Sequence, residues 1–127
     1  MIFYFFNDDQ LVVDQVKCLE NNDFKKFLDL IIESGISSWM LCQNCYASKD
    51  INFQGIPIAL VICEDILKNQ GSWRVHGGGF QGTIQAFVPK ELNDRFKKEI
   101  SKVFGEECEE SYSEVMIRPV GTYKFEI

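Results

Sequence analysis

The sequence has no excess of basic residues: thirteen Lys and Arg stand against nineteen Asp and Glu, for a formal net charge of −6. That balance argues against a general DNA- or RNA-binding role, because neutralising phosphates needs a basic stripe. Lys97, Lys98 and Lys102 cluster, but they share a helical stretch with Glu91, Asp94 and Glu99 and read as a solvated face. Long apolar runs are missing too. Met1 to Phe6 is apolar yet breaks at Asn7-Asp8-Asp9, too short to span a bilayer and without the basic flank or small-residue cleavage site of a leader. No membrane partner is expected. Five cysteines, an odd number, without a secretory signal predict reduced thiols and a cytoplasmic location. There is no internal repeat and no low-complexity segment. Only one histidine occurs, His76, so Cys42-Gln-Asn-Cys45, which has the spacing of half a zinc site or a redox pair, lacks the second pair of ligands a zinc site needs. The segment reads as helical, with no strand–helix redox context, and the two thiols are expected to pack rather than react.

What is present is enough for one domain over residues 1–127. Forty-six per cent of the chain is apolar, and it holds eleven Phe, two Trp and four Tyr, far too many for a solvated chain. A chain of this length buries roughly two-thirds of the surface it exposes when unfolded. From Asp8 or Asp9, Val12, Val13, Val16 and Leu19 fall at helix spacing until Asn21-Asn22 interrupts. A second helix starts with Asn22 or Asp23 as N-cap and carries Phe24, Phe27, Leu28 and Ile31 inward. Gly35 and Ser37-Ser38 are expected to bend it, or to divide it from a helix running through Trp39 to Tyr46. Ser48 to Gly55 reads as a loop. Pro57 suits a first helical turn, and the crowd of Ile58, Leu60, Val61, Ile62, Ile66 and Leu67 marks a buried helix, which Gly71 closes in the left-handed conformation.

After Gly71 the period changes to two. Trp73 and Val75 alternate with Ser72, Arg74 and His76, and Ile84, Ala86 and Val88 alternate with Thr83, Gln85 and Phe87. Pro89 ends the second strand and opens a helix with Leu92, Phe96, Ile100 and Val103 on one stripe, closed by Gly105; one or two strands follow through Val115, Ile117, Tyr123, Phe125 and Ile127. The pattern predicts an α+β domain with helices packed on one face of a small antiparallel sheet and extra helices at the N-terminus.

Between the two strands lie Gly77, Gly78, Gly79 and Gly82, more glycine than a tight hairpin requires. Such a run lets backbone N–H groups approach a neighbouring loop or an anion without Cβ atoms in the way. A wide glycine hairpin with no ligand is the competing reading. A strand pattern follows, where the Rossmann and P-loop arrangements need a helix, which argues against a dinucleotide site. Arg74, a permanent cation beside the run, is the better candidate for meeting an anion, its alternative role being a cross-strand ion pair. His76 lacks a nucleophile constellation and reads as a strand-end residue.

The stretch Arg74-Val-His-Gly-Gly-Gly-Phe-Gln-Gly-Thr83 resembles the third glycine motif of the galactokinase branch of the GHMP small-molecule kinases. Asn22-Asp23-Phe24 with its helix resembles that family's Gly-Asp-Phe helix, Pro57 to Lys68 the helix before the motif, and Ile117-Arg-Pro-Val-Gly121 its final strand. The resemblance is specific at the glycines and loose elsewhere. It implies a ferredoxin-like C-terminal domain whose loop, comprising Arg74, His76, Gly77, Gly78, Gly79, Phe80, Gln81 and Gly82, supports a phosphate site. Three departures stand out: His76 where threonine is usual, Gln81 for a glycine, and Ser34-Gly35 without the histidine that commonly follows that serine.

The family's earlier signatures, a sugar-recognition segment and a Pro-x-x-x-Gly-Leu-x-Ser-Ser-Ala phosphate loop with a catalytic Asp, do not occur in this sequence. The resemblance therefore implies that ATP, Mg²⁺ and a sugar, galactose foremost, belong to a complete kinase that includes an N-terminal domain, and that this chain alone has neither catalytic residues nor a cofactor. The alternative function is a free-standing ferredoxin-like module that binds a small anion or a protein without catalysis. The apolar start, Met1 to Phe6, further predicts self-association, or docking of that segment into the domain's own groove.

Overall fold

The computed structural model describes residues 2–80 and 82–117. It is an α+β arrangement of four α-helices and one two-stranded antiparallel sheet. In chain order these are α1 (Ile2–Glu20), α2 (Phe24–Cys42), α3 (Gly55–Leu67), β1 (Ser72–His76), β2 (Thr83–Phe87) and α4 (Asn93–Phe104). Short 3₁₀ turns at Lys90–Leu92 and Glu106–Ser111 flank α4.

A tight turn joins α1 and α2 into a helical hairpin. Asn22 takes the left-handed conformation (φ 57°), and the Asp23 side chain caps α2 by accepting the Lys26 N–H at 3.1 Å, the role its position predicts. The start of α1 differs from expectation. The helix begins at Ile2 and runs through Asn7-Asp8-Asp9 without a break. Its inward stripe is Leu11 and Cys18, packed on Leu30 and Phe27 of α2, whereas Val12, Val13, Val16 and Leu19 are about half exposed. The seam includes polar pairs that a search for apolar periodicity passes over: Asn7 Nδ2 donates to Ser37 Oγ (3.1 Å) and Ser34 Oγ donates to Asp8 Oδ1 (2.6 Å). On α2, Phe24 is likewise outside, and Leu30 and Ile31 are the buried pair.

Gly35 and the nearby serines do not divide α2, which is continuous through them. They form its close-approach face. A Cβ built on Gly35 would lie 2.7 Å from Arg74 Cβ, so the glycine lets β1 run directly against the helix. Cys42 ends α2, and Gln43 reverses the chain in the left-handed conformation (φ 53°) with its N–H bonded to Trp39 O.

β1 covers the residues that the alternation predicts and β2 ends at Phe87, one residue short of the expected Val88; their register is Ser72↔Phe87, Trp73↔Ala86, Arg74↔Gln85, Val75↔Ile84 and His76↔Thr83. Trp73 packs with Cys63, Ile66 and Leu67 of α3 and Phe96 of α4, with Ala86 and Ile84 against the same cluster; Val75 joins Cys45 and Ile56. Helices are not confined to that face. The opposite alternation meets α2, through Arg74 against Ser34 and Gly35 and through the Phe87 ring edge-on to Phe27 at 5.9 Å. The reason is Gly35, whose missing side chain opens α2 to the second face.

The left-handed residue after α3 is Asn69 (φ 64°), not Gly71; Gly71 is buried where a Cβ would overlap the Phe87 carbonyl oxygen. Gly105 closes α4 at φ 84°, as expected, although Val103 points outward. No strand forms over Val115 to Ile117, which are exposed; the remainder of the expected C-terminal strands lies outside the described residues. Among the described residues, no helix is long and apolar enough to cross a membrane.

Candidate functional site: the glycine loop

The loop between β1 and β2 begins at His76, exposed and opposite Thr83. Gly77 follows at φ 65°, Gly79 at φ 79° and Phe80 at φ 62°. Three of the four residues 77–80 are thus in the left-handed region, which glycine adopts without strain, and the glycines leave no Cβ between the loop and a neighbouring group. Gly77 and Gly78 face open space, with no heavy atom within 4 Å of a Cβ built on either. Gly79 does the opposite. A Cβ there would overlap the Asn44 carbonyl oxygen and stand 2.9 Å from Asn44 Cβ. The Phe80 N–H donates to that same carbonyl at 2.6 Å, and the Gly82 N–H returns to Gly79 O at 3.0 Å. One side of the loop is therefore seated on the turn that follows α2 while the other stays bare.

Asn44 is itself buried. Its Nδ2 donates to Ser38 Oγ at 2.9 Å, and its Oδ1 is enclosed without a hydrogen-bond partner. Phe80 holds a conformation unfavourable for a residue with a Cβ and leaves half its ring in solvent.

Arg74 does not join the loop. Its Nη1 donates to Ser34 Oγ at 2.6 Å and its Nε to the Val75 carbonyl at 3.1 Å; Ser34, with its hydroxyl given to Asp8, links the guanidinium to α1. The cross-strand ion pair is also absent, since the residue opposite is Gln85. The structure thus gathers His76, Gly77, Gly78, Gly79, Phe80 and Gly82 at one exposed loop and directs Arg74 toward the helical hairpin. Gln81 lies outside the described residues.

No protein-family model matches the chain, and no solved structure matches it significantly.

In the loop the Phe80 and Gly82 N–H groups are taken up by Asn44 O and Gly79 O, while Gly77 and Gly78 border open space. The residues described in it include neither a carboxylate for Mg²⁺ nor a hydroxyl or thiol nucleophile. Among the described residues, no group of three or more His, Cys, Asp or Glu side chains is placed to hold a metal ion. Cys45 is almost fully enclosed beside Ile56 and Val75, and burial pushes its thiol above the usual range; Cys42 is half-buried, and both are free. Burial holds such a thiol in its unreactive protonated form. The lysines on α4 behave as a solvated face: Lys102 pairs with Glu99 at 2.6 Å and Lys97 lies over the Tyr112 ring at 4.8 Å.

Sequence reasoning missed Asn44, Ser34 and Asp8. A signal for Ser34 was present, because Ser34, Gly35, Ser37 and Ser38 are four small residues within five positions of an otherwise bulky helix. Such a run marks close approach as readily as a bend. For Asn44 the sequence carries no comparable signal, since the contact it makes runs through its backbone carbonyl.

Proposed function

We propose that this chain is the C-terminal part of a galactokinase-like, ATP-dependent sugar kinase, in which the glycine loop supports the phosphate site. The observation that carries the reading is the two-sided loop. Gly79 is held against Asn44, so Gly77 and Gly78 project their backbone, free of side chains, toward whatever lies beyond the sheet end. A loop anchored on one side and bare on the other suits close packing against a second backbone segment and its bound anion.

In this reading the fold is a ferredoxin-like domain, and galactose, ATP and Mg²⁺ are handled mainly by an N-terminal domain that this sequence does not include. The loop supplies N–H groups for phosphate oxygens, while the metal carboxylates belong to the missing half. Phosphoryl transfer rests on positioning and on charge stabilisation around the metal and the γ-phosphate. The chain alone is accordingly inactive. Arg74 serves as a strut that fixes β1 to α1 and α2. The cytoplasm is the expected compartment, given five free thiols. Binding of a small anion without catalysis, by a free-standing module, is the second reading; the same bare loop supports it.

The coding region ahead of Met1 separates the two. An in-frame stretch encoding a phosphate loop of the Gly-Leu-x-Ser-Ser-Ala type is the result expected here. A stop codon directly ahead of a functional start would sink the kinase reading and leave the module.

A further inference from the structure

The geometry points to Asn44 as the positioning residue of the glycine loop. The inference rests on the kinase reading only for what the loop faces; the interlock itself stands on three local observations. First, among the described residues the loop has one backbone hydrogen bond to the rest of the fold beyond its own strands, Phe80 N–H to Asn44 O at 2.6 Å, and it coincides with the Gly79 contact on the same oxygen. Second, Phe80 is left-handed although it carries a Cβ, so a fixed partner is needed to hold it there. Third, Asn44 is held in place from α2. Gln43 reverses the chain, and the Asn44 amide reaches back to Ser38, itself buried, through a 2.9 Å bond.

The causal order runs from helix to loop. Ser38 fixes the Asn44 amide, the amide fixes the turn, and the turn carbonyl fixes Phe80 and Gly79. A Cβ built on Gly77 or Gly78 would meet nothing within 4 Å, so no packed neighbour on that side sets their direction. Their presentation is therefore inherited from Asn44, two elements away in sequence and more than thirty residues distant. Of the two polar atoms on its amide only Nδ2 is paired, so the anchor is single and depends on the Ser38 hydroxyl.

Amide hydrogen exchange on the full ¹⁵N-labelled chain, followed by titration with inorganic phosphate, tests this. In Asn44→Ala, exchange of the Phe80 N–H should rise about tenfold more than that of the β1–β2 ladder amides, because the opening is local and not global. Ser38→Ala, a smaller change for the case in which Asn44→Ala does not fold, should loosen Phe80 in the same selective way. Phosphate should shift the Gly77 and Gly78 amides of the unaltered chain, and those shifts should weaken in both variants. Exchange at Phe80 that moves only in step with the ladder, or not at all, overturns the role given to Asn44. Selective loosening with no phosphate response even in the unaltered chain upholds Asn44 as the positioning residue and removes the phosphate reading of the loop.

Discussion

At the residue scale the account turns on glycines that look alike in sequence and differ in surroundings. Gly79 has φ 79° and a backbone oxygen where its Cβ would be, whereas Gly78 has neither constraint. Gly79→Ala should therefore destabilise the chain by about 3 kcal/mol, combining the left-handed penalty with displacement of Asn44. Gly78→Ala should stay within about 0.5 kcal/mol of the unaltered chain. Chemical denaturation of the two variants checks this, and equal losses would show the loop to be an undifferentiated turn. The sequence made the glycine run and its two flanking strands visible. It could not show which glycine faces inward, since that depends on a turn far away in the chain. A second residue-scale test concerns Cys63, whose thiol burial pushes from 9.0 to about 12. Above pH 9 the unfolded chain loses this proton while the folded chain keeps it. Below pH 9 the group is neutral in both states and adds no pH dependence. Stability should thus fall between pH 9 and 12, with Cys63 contributing about 1.4 kcal/mol per pH unit. Cys63→Ala should flatten the curve in that window, and an unchanged slope would mean that the thiol is not buried in solution.

At the element scale, helices and strands were legible in their existence more than in their facing. The alternation of Trp73 and Val75, and of Ile84 and Ala86, gave both strands because each strand has one face on the α3–α4 core. On α1 the same kind of reasoning chose the wrong stripe. Its outward face is as apolar as its inward one, and Asn7, Asp8 and Gln15 contribute to the seam by hydrogen bonding. The link from Asp8 through Ser34 to Arg74 joins α1, α2 and β1. Ser34→Ala should cost about 1–3 kcal/mol by leaving the Arg74 guanidinium and the Asp8 carboxylate without their shared partner. The companion Asp8→Asn should cost less, since an amide oxygen still accepts from Ser34. Thermal melts of both variants decide it; a larger loss in Asp8→Asn would contradict the bridging role of the hydroxyl.

At the scale of the whole molecule, the described surface leaves Phe5 and Phe6 at 61% and 68% exposure, with Val12, Val16 and Leu19 further along α1 and Met40 on α2 also outside. Apolar surface of this kind marks a contact face. Under the proposed kinase reading a second domain would cover part of it; by itself the chain should self-associate. Sedimentation of the intact chain and of a version lacking residues 1–6 tests this, with a lower association state expected for the shortened chain. Two clean monomers of equal stability would remove the prediction.

The central claim is that the glycine loop belongs to a kinase whose chemistry resides mostly in another half. Enzymic phosphoryl transfer needs an acceleration of many orders of magnitude, and a few backbone N–H groups supply only a few kcal/mol of it. The most direct measurement is ADP release from Mg-ATP in the presence of galactose, made on this chain alone and on a polypeptide in which the phosphate-loop half precedes it. The account predicts background rates for the chain alone and turnover for the longer polypeptide, falling steeply when Gly79 is replaced by valine. Turnover by the isolated chain, or a longer enzyme indifferent to Gly79→Val, would contradict it.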